Sequence, residues 1–460
     1  MTSITDRITE AVPDVVTKWI SNLPRWQYDL LLIGGVVLAT YVFFISIGLV
    51  FGVRPNLIAS QLEQITFFAA VYALAALALN LHWGYTGLFN IGVAGFMAVG
   101  AYTMGMLTAA PDGSPPGLGL PLIVGVLGGM VAASLVGFVA ALPALRVRAD
   151  YFAIVTLGLS EIIRRALLSR SLQEFTLGGY SLGPLTIPRA ELGTGGGSGI
   201  RAPSTDIVAN YLLYVGGERN GEPTLLGDVF FGLAEPLGIQ SNVVVNSVYT
   251  LVVIAFVVAF YLLLTRIAYS PFGRVLKAIR EDELAARSLG KDTNRTKIKV
   301  FMLGCALMGL AGILWQGSRT QISPNSFMPI VTFYIFVALI VGGSGSNTGS
   351  IVGGFVFSAF LYQGPRFIRT IVRALFDVRA PPTIYDGFVA LGSGDPLPML
   401  GYVIGSLDEI RFIIIGIVLI LLMLWRPDGL LGHRKEIAAA TDLSRRSSRS
   451  IATDGGEVDE

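Results

Sequence analysis

The chain has 460 residues, 53% of them hydrophobic and 14% charged, with a mean hydropathy of +0.66. That balance excludes an ordinary soluble domain and indicates a membrane protein. A formal net charge of +2 is too small to suggest nucleic acid or an acidic substrate as a partner, and a lone cysteine, Cys305, excludes an intrachain disulfide.

The first 27 residues are polar and mixed in charge, and no cleavable signal peptide is expected, because the apolar run that follows is too long for its hydrophobic region. Runs able to cross about 30 Å of hydrocarbon then cover 28–53, 57–81, 85–110 and 120–145. A weaker fifth, 151–168, carries Glu161, Arg164 and Arg165. Beyond a polar stretch come 248–264, 299–315, 330–341, 350–363 and 412–425. The expected fold is an all-α polytopic membrane protein with about ten transmembrane helices, two in the second half being short for a straight crossing.

Charge assigns the sides, since Lys and Arg near membrane spans mark the cytoplasm. Arg146 and Arg148 follow the fourth run, and Arg426, Arg434 and Lys435 follow the last. Residues 266–299 hold nine Lys or Arg against four acids, whereas the turn 111–119 has no Lys or Arg and 171–246 is Gly-rich and acidic. Both termini are therefore expected in the cytoplasm. The domain reading is an N-terminal cytoplasmic segment (1–27), a first membrane half (28–170) and an extracytoplasmic loop with an insertion (171–246). A second membrane half (247–435) contains a cytoplasmic loop at 270–299 and an external loop at 364–410. The tail 436–460 is poor in apolar residues and reads as disordered.

The loop 270–299 has its own logic. Helix formers run from Arg274 to Leu289, with Val275, Leu276, Ile279 and Leu284 on an apolar side and Arg274, Lys277 and Arg280 on a basic one. Glu283 precedes Arg287 by four residues, the favourable order for an ion pair. Gly290 is placed to end this helix, and Asp292 or Thr293 to cap the next. An amphipathic helix resting on anionic lipid would share this composition. The small pair Ala285–Ala286 before the glycine turn favours an elbow that docks in a partner's groove.

Small residues at four-residue spacing, Gly125, Gly129 and Ala133 in one run and Gly345, Gly349 and Gly353 in another, allow close helix approach. The Gly-rich stretches 84–105 and 342–354 occupy similar places in the two halves. Tight packing and bent half-helices lining a path are both open readings, and a duplicated architecture, inverted or not, follows from the second.

Five segments carry a family resemblance: NLHWGYTGLFNIGVAGFMAVGAY (80–102), YFAIVTLGLSEIIR (151–164), SPFGRVLKAIREDELAARSLGKDTNRTK (270–297), GGSGSNTGSIVGG (342–354) and WRPDGLLG (425–432). Together the chain resembles the LivM-type permease subunits of branched-chain amino acid ABC importers. The resemblance implies that the loop couples partner ATPases to transport through Glu283, Ala285, Ala286, Leu289 and Gly290. Ala285, Ala286 and Gly290 match the general importer pattern, but the acid, Glu283, is displaced by one residue. It also implies a second permease (LivH-like), two ATPase subunits that bind ATP and Mg, and a periplasmic or lipid-anchored binding protein, all at the bacterial inner membrane. Related importers carry branched-chain or other neutral amino acids, or urea and short amides; 151–164 leans towards amino acids.

The residues permit this role. No G-x4-G-K-[ST] loop occurs, so the chain is expected to be no ATPase and to hold no cofactor itself. No His, Cys and carboxylate set has metal spacing, and no nucleophile–base pair suggests catalysis. Polar groups inside membrane segments are functional candidates. Asn80, Thr86, Asn90 and Glu161 are the candidates for the translocation path, with helix caps, interhelical hydrogen bonds or a local ion pair as competing explanations. His82 is expected at a membrane interface. The stretches 189–238 and 376–409 lie outside the resemblance and read as insertions. A gradient-driven transporter is the rival class, and it leaves the elbow without a purpose.

Overall fold

The computed structural model describes residues 24–144, 149–178, 181–182, 185–186, 190–201, 207–219, 221–317, 319, 321–375 and 380–432. The N-terminal segment up to residue 23, the basic markers Arg146, Arg148, Arg434 and Lys435, and the tail 436–460 lie outside them.

A backbone without water must satisfy its own polar groups, and the apolar runs accordingly form helices. In the first half these are α1 (Arg25–Val50), α2 (Pro55–Leu79), α3 (Val93–Thr108), α4 (Leu122–Ala144) and α5 (Ala149–Leu168). The segment 171–246, expected outside the membrane, adds α6 (Ile207–Leu213) and α7 (Leu225–Ala234). The second half holds α8 (Ser241–Tyr269), α9 (Pro271–Glu281), α10 (Glu283–Ser288), α11 (Thr293–Gln316), α12 (Pro329–Gly342) and α13 (Asn347–Val356). α14 (Gly364–Leu375), α15 (Ile384–Gly392), α16 (Leu397–Gly405) and α17 (Leu407–Trp425) complete it. Gly52, with φ +63°, ends the turn after α1, and Pro55, whose missing N–H costs nothing at a first helical position, opens α2.

Each of the ten apolar runs contains a helix, yet among the described residues five helices are long and apolar enough to cross a membrane: α1, α2 with its following turn, α4, α8 and α11. The pair α12 and α13–α14, bent by 117°, makes a sixth. The shortfall from ten has physical causes. α3 has only 16 residues, α5 carries Glu161, Arg164 and Arg165, and α17 opens with Asp408, Glu409 and Arg411.

The core centres on α2, whose residues from Phe67 to Leu79 are all buried. α3, α4 and α11 meet through glycines. A Cβ on Gly129 would lie 2.5 Å from the Gly100 oxygen and 2.8 Å from Ile313 Cδ1, and one on Gly309 would lie 2.7 Å from Ala133 Cβ. Gly125 approaches Thr108 and Met104 of α3 in the same way. Gly349 and Gly353 of α13 abut Gly342 of α12, but Gly345 lies in the preceding turn with φ +88°, so the expected three-glycine helix ladder has two rungs.

The all-α expectation needs one amendment. Among the described residues there are three short antiparallel pairs: β1 (Phe175–Leu177) with β4 (Ala190–Leu192), β2 (Ser181–Leu182) with β3 (Leu185–Thr186), and β5 (Ile200–Arg201) with β6 (Gln321–Ile322). The last pair ties the insertion to the segment after α11, and Tyr102 of α3 anchors it by donating to the Ile322 carbonyl at 3.1 Å.

Candidate functional site

The loop between α8 and α11 is built from successive caps. Ser270 accepts from Gly273 N–H and opens α9. At Asp282 the backbone is extended (φ −153°, ψ 106°) and the carboxylate accepts from Ala285 N–H. The single helix expected from Arg274 to Leu289 therefore divides there. α10 closes with Lys291 N–H to the Ala286 carbonyl and Gly290 N–H to that of Arg287, with Gly290 at φ +75°. This reciprocal closure needs a left-handed residue, which glycine supplies without a Cβ clash. Asp292 then caps α11 by accepting from Arg295 N–H.

Glu283 holds the elbow in shape. Its carboxylate receives Lys297 Nζ at 2.5 Å, Arg287 Nη2 at 2.9 Å and the Thr293 hydroxyl at 3.0 Å. Burial alone would raise its pKa; the Lys297 ammonium, aided by Thr293 and Arg287, outweighs that and holds it below the ordinary carboxylate range. Leu276, Ile279 and Ala286 point inward, whereas Leu284 and Leu289 are 74% and 78% exposed, beside exposed Ala285 and Gly290. The elbow thus presents two leucines and Ala285. Ala286, expected at the docking face, is an internal packing residue, and Leu284 leaves the inward side.

Above the elbow lie two helix breaks. α2 runs into a π turn at Asn80–Gly84 before the chain reaches α3. α12 ends at Gly342, and Gly343 (φ +107°) and Gly345 turn the chain into α13, where Ser346 accepts from Gly349 N–H. The breaks face each other. Gly345 N–H donates to Asn80 Oδ1 at 2.7 Å, and Asn347 Oδ1 accepts from Asn80 Nδ2 at 3.2 Å and from Tyr85 at 2.8 Å. Asn347 Nδ2 in turn donates to Thr265 of α8 at 3.2 Å. Irregular backbone inside a membrane persists only where its polar groups are satisfied, and these two breaks satisfy one another.

The elbow touches this junction. The Arg280 guanidinium donates to the Gly84 carbonyl, and Lys277 Nζ stands 5.8 Å from the Tyr85 ring centroid. On the other side, Leu430 and Leu431 donate to the carbonyls of Val341 and Gly342 at 2.8 and 3.0 Å. The segment 425–432 therefore closes the end of α12.

Of the candidate path residues, Asn80, Thr86 and Asn90 gather at the first break. Asn90 Oδ1 accepts from Gly92 N–H at 2.9 Å, and Thr86 donates to the His82 carbonyl at 2.5 Å. His82 is fully buried within the protein: its ring stacks on Phe301 and Nε2 donates to the Phe301 carbonyl at 3.2 Å, which leaves Nδ1 to accept from Asn90 Nδ2. Asn80 and Asn90 are also fully buried and pair within the chain. Glu161 stands apart, paired at 2.7 Å with both Arg164 and Arg165 along its own helix. Tyr85 and Asn347 escaped sequence reasoning, and Arg280 was read only as part of a basic face. The available signal was a polar residue beside glycine in an interrupted apolar run.

The family model described as branched-chain amino acid transport system / permease component matches residues 61–390, which contain both breaks and the elbow. The chain belongs to this permease family. It is 27% identical over 414 residues to the high-affinity branched-chain amino acid transport system permease protein LivM of Escherichia coli (strain K12), covering 90% of this chain and 80% of that protein. It is 25% identical over 403 residues to the probable LivM of Methanocaldococcus jannaschii, covering 81% of this chain and 94% of that one. A shorter stretch of 107 residues is 33% identical to the probable LivH permease of the same organism, covering 23% of this chain and 32% of that protein. No solved structure matches the chain. The LivM-type resemblance is thus shown, and with it a multi-pass transport component.

Proposed function

We propose that this chain is the membrane-spanning subunit of an ABC importer for branched-chain or other neutral amino acids in the bacterial inner membrane. Two separate ATPase subunits would bind ATP and Mg and dock on the elbow, a LivH-like permease would enclose the path with this chain, and an external binding protein would deliver the substrate. The observation that supports this most is the exposed apolar elbow tied by Arg280 to the paired helix breaks. A gradient-driven carrier has no use for such a surface. The closing of two ATPases under α10 would push α9 against Gly84, and Asn80 and Asn347 would carry that displacement into α2, α12 and α13.

The test is ATP-dependent uptake of a labelled neutral amino acid panel by the reconstituted complex, comparing wild type with Leu289→Glu. Leu289 is substituted and Gly290 left alone, because any side chain at φ +75° would also strain the backbone. An apolar anchor worth about 1.4 kcal/mol or more implies at least a tenfold weaker ATPase association, with uptake lost in proportion. Uptake equal to wild type would remove the elbow from the mechanism.

A further inference from the structure

The outer insertion contains a helix with three distinct faces. α7 turns Gly227 and Ala234 inward, where Gly227 meets the Leu213 carbonyl at the end of α6 and the Tyr214 and Phe231 rings lie 5.3 Å apart. Leu225, Leu226, Val229, Phe230 and Leu233 occupy a separate arc of about 140° at 3.6 residues per turn, and Leu225 and Leu233 are 88% and 68% exposed. Asp228 and Glu235, also exposed, project on the side away from that arc. A helix that merely covers a core has no reason to expose so much apolar surface.

The position of α7 indicates what covers this arc. A groove of about 250 Å³ separates Phe230, Leu233 and Leu237 from Ala59 of α2 and from Val244 and Ser247 of α8. α2 with its π turn has 30 residues and α8 has 29, so each is about 44 Å long against about 30 Å of hydrocarbon. Each helix overhangs the hydrocarbon by roughly four residues per end, which places Ala59 and Val244 at the outer boundary. α7, across the groove from these residues, therefore lies at the hydrocarbon boundary.

We infer that α7 is an interfacial helix whose apolar arc is covered by acyl chains of outer-leaflet phospholipid, one of which fills the groove beside α2 and α8. Its charged side chains are acids, so the attachment is apolar and independent of anionic headgroups. The insertion is thereby held flat on the membrane. This rests on the crossing of the membrane by α2 and α8 and not on the coupling role of the elbow, so either can fail without the other.

Site-directed spin labelling tests it in the full chain, alone and within the complete complex, in vesicles of phosphatidylethanolamine and phosphatidylglycerol. Cys305 is buried, so label reports from the introduced cysteine. Val229→Cys and Leu233→Cys are expected to collide several-fold more with oxygen than with a water-soluble nickel chelate, and Asp228→Cys to show the reverse. Removing phosphatidylglycerol should leave the contrast intact. Equal nickel access at 228 and 233 would place the helix in water and overturn the inference. So would lipid-like values at 233 only in the complete complex, which would assign the face to a protein partner.

Discussion

The elbow and the paired breaks lie one side chain apart and are built on opposite rules. At the breaks the polar groups of Asn80, Tyr85, Gly345 and Asn347 are buried and joined to each other. At the elbow the polar groups only shape the turn, while Leu284 and Leu289 stand in the open. The first arrangement holds a geometry, and the second leaves apolar surface that the proposed docking would cover. Buried polar groups fix one geometry because leaving any of them unpaired is costly, so under the proposed function a push delivered at the elbow would reach a junction that moves as a unit.

The largest expected effect lies at the contact that positions the breaks. A Cβ on Gly353 would lie 2.6 Å from Gly342 N and would also run into the Ala338 carbonyl. Gly353→Leu must force α12 and α13 apart, at a cost of about 1–3 kcal/mol or more. Loss of monodisperse protein in detergent is the expected readout, whereas Gly416→Leu, in α17 with open space around it, should behave as wild type.

Asn347→Ala comes next. It leaves the buried Asn80 amide and Tyr85 hydroxyl each short of an acceptor, at about 1–3 kcal/mol per group. A fall in thermal unfolding temperature of several degrees, with uptake reduced, is expected; an unchanged unfolding temperature would separate the two breaks energetically.

Glu283→Gln should be milder. Its pairs with Lys297 and Arg287 are partly exposed, so about 1 kcal/mol is a generous ceiling at pH 7. Because its folded pKa is depressed, its stabilisation is complete above the unfolded value, about 4.3, and is lost as pH falls through the folded value. Wild type and variant should therefore differ in unfolding temperature at pH 7 and converge at acid pH. A difference that persists in acid would mean that the carboxylate's charge is not what counts.

The parts legible in the sequence were those set by neighbours in the chain. The helical runs, the Glu283–Arg287 pair, Gly290 as a left-handed end and Asp292 as a cap follow from spacings of a few residues. The pairing of Asn80 with Gly345 and Asn347 spans more than 260 residues and has no local signature. For the same reason the stacking of His82 on Phe301 and the pairing of Lys297 with Glu283 were not foreseen. Gly345 fits the spacing of a helix ladder, and only its positive φ places it in the turn.

The central claim is that force passes from the elbow through Arg280 to the breaks, and the direct test is the number of amino acid molecules transported per ATP hydrolysed in the reconstituted complex. Arg280→Gln removes the guanidinium that reaches the Gly84 carbonyl and leaves Leu284 and Leu289 exposed for docking. The account expects ATP hydrolysis to continue while uptake falls, so the ratio drops. A ratio equal to wild type, with uptake intact, would contradict it.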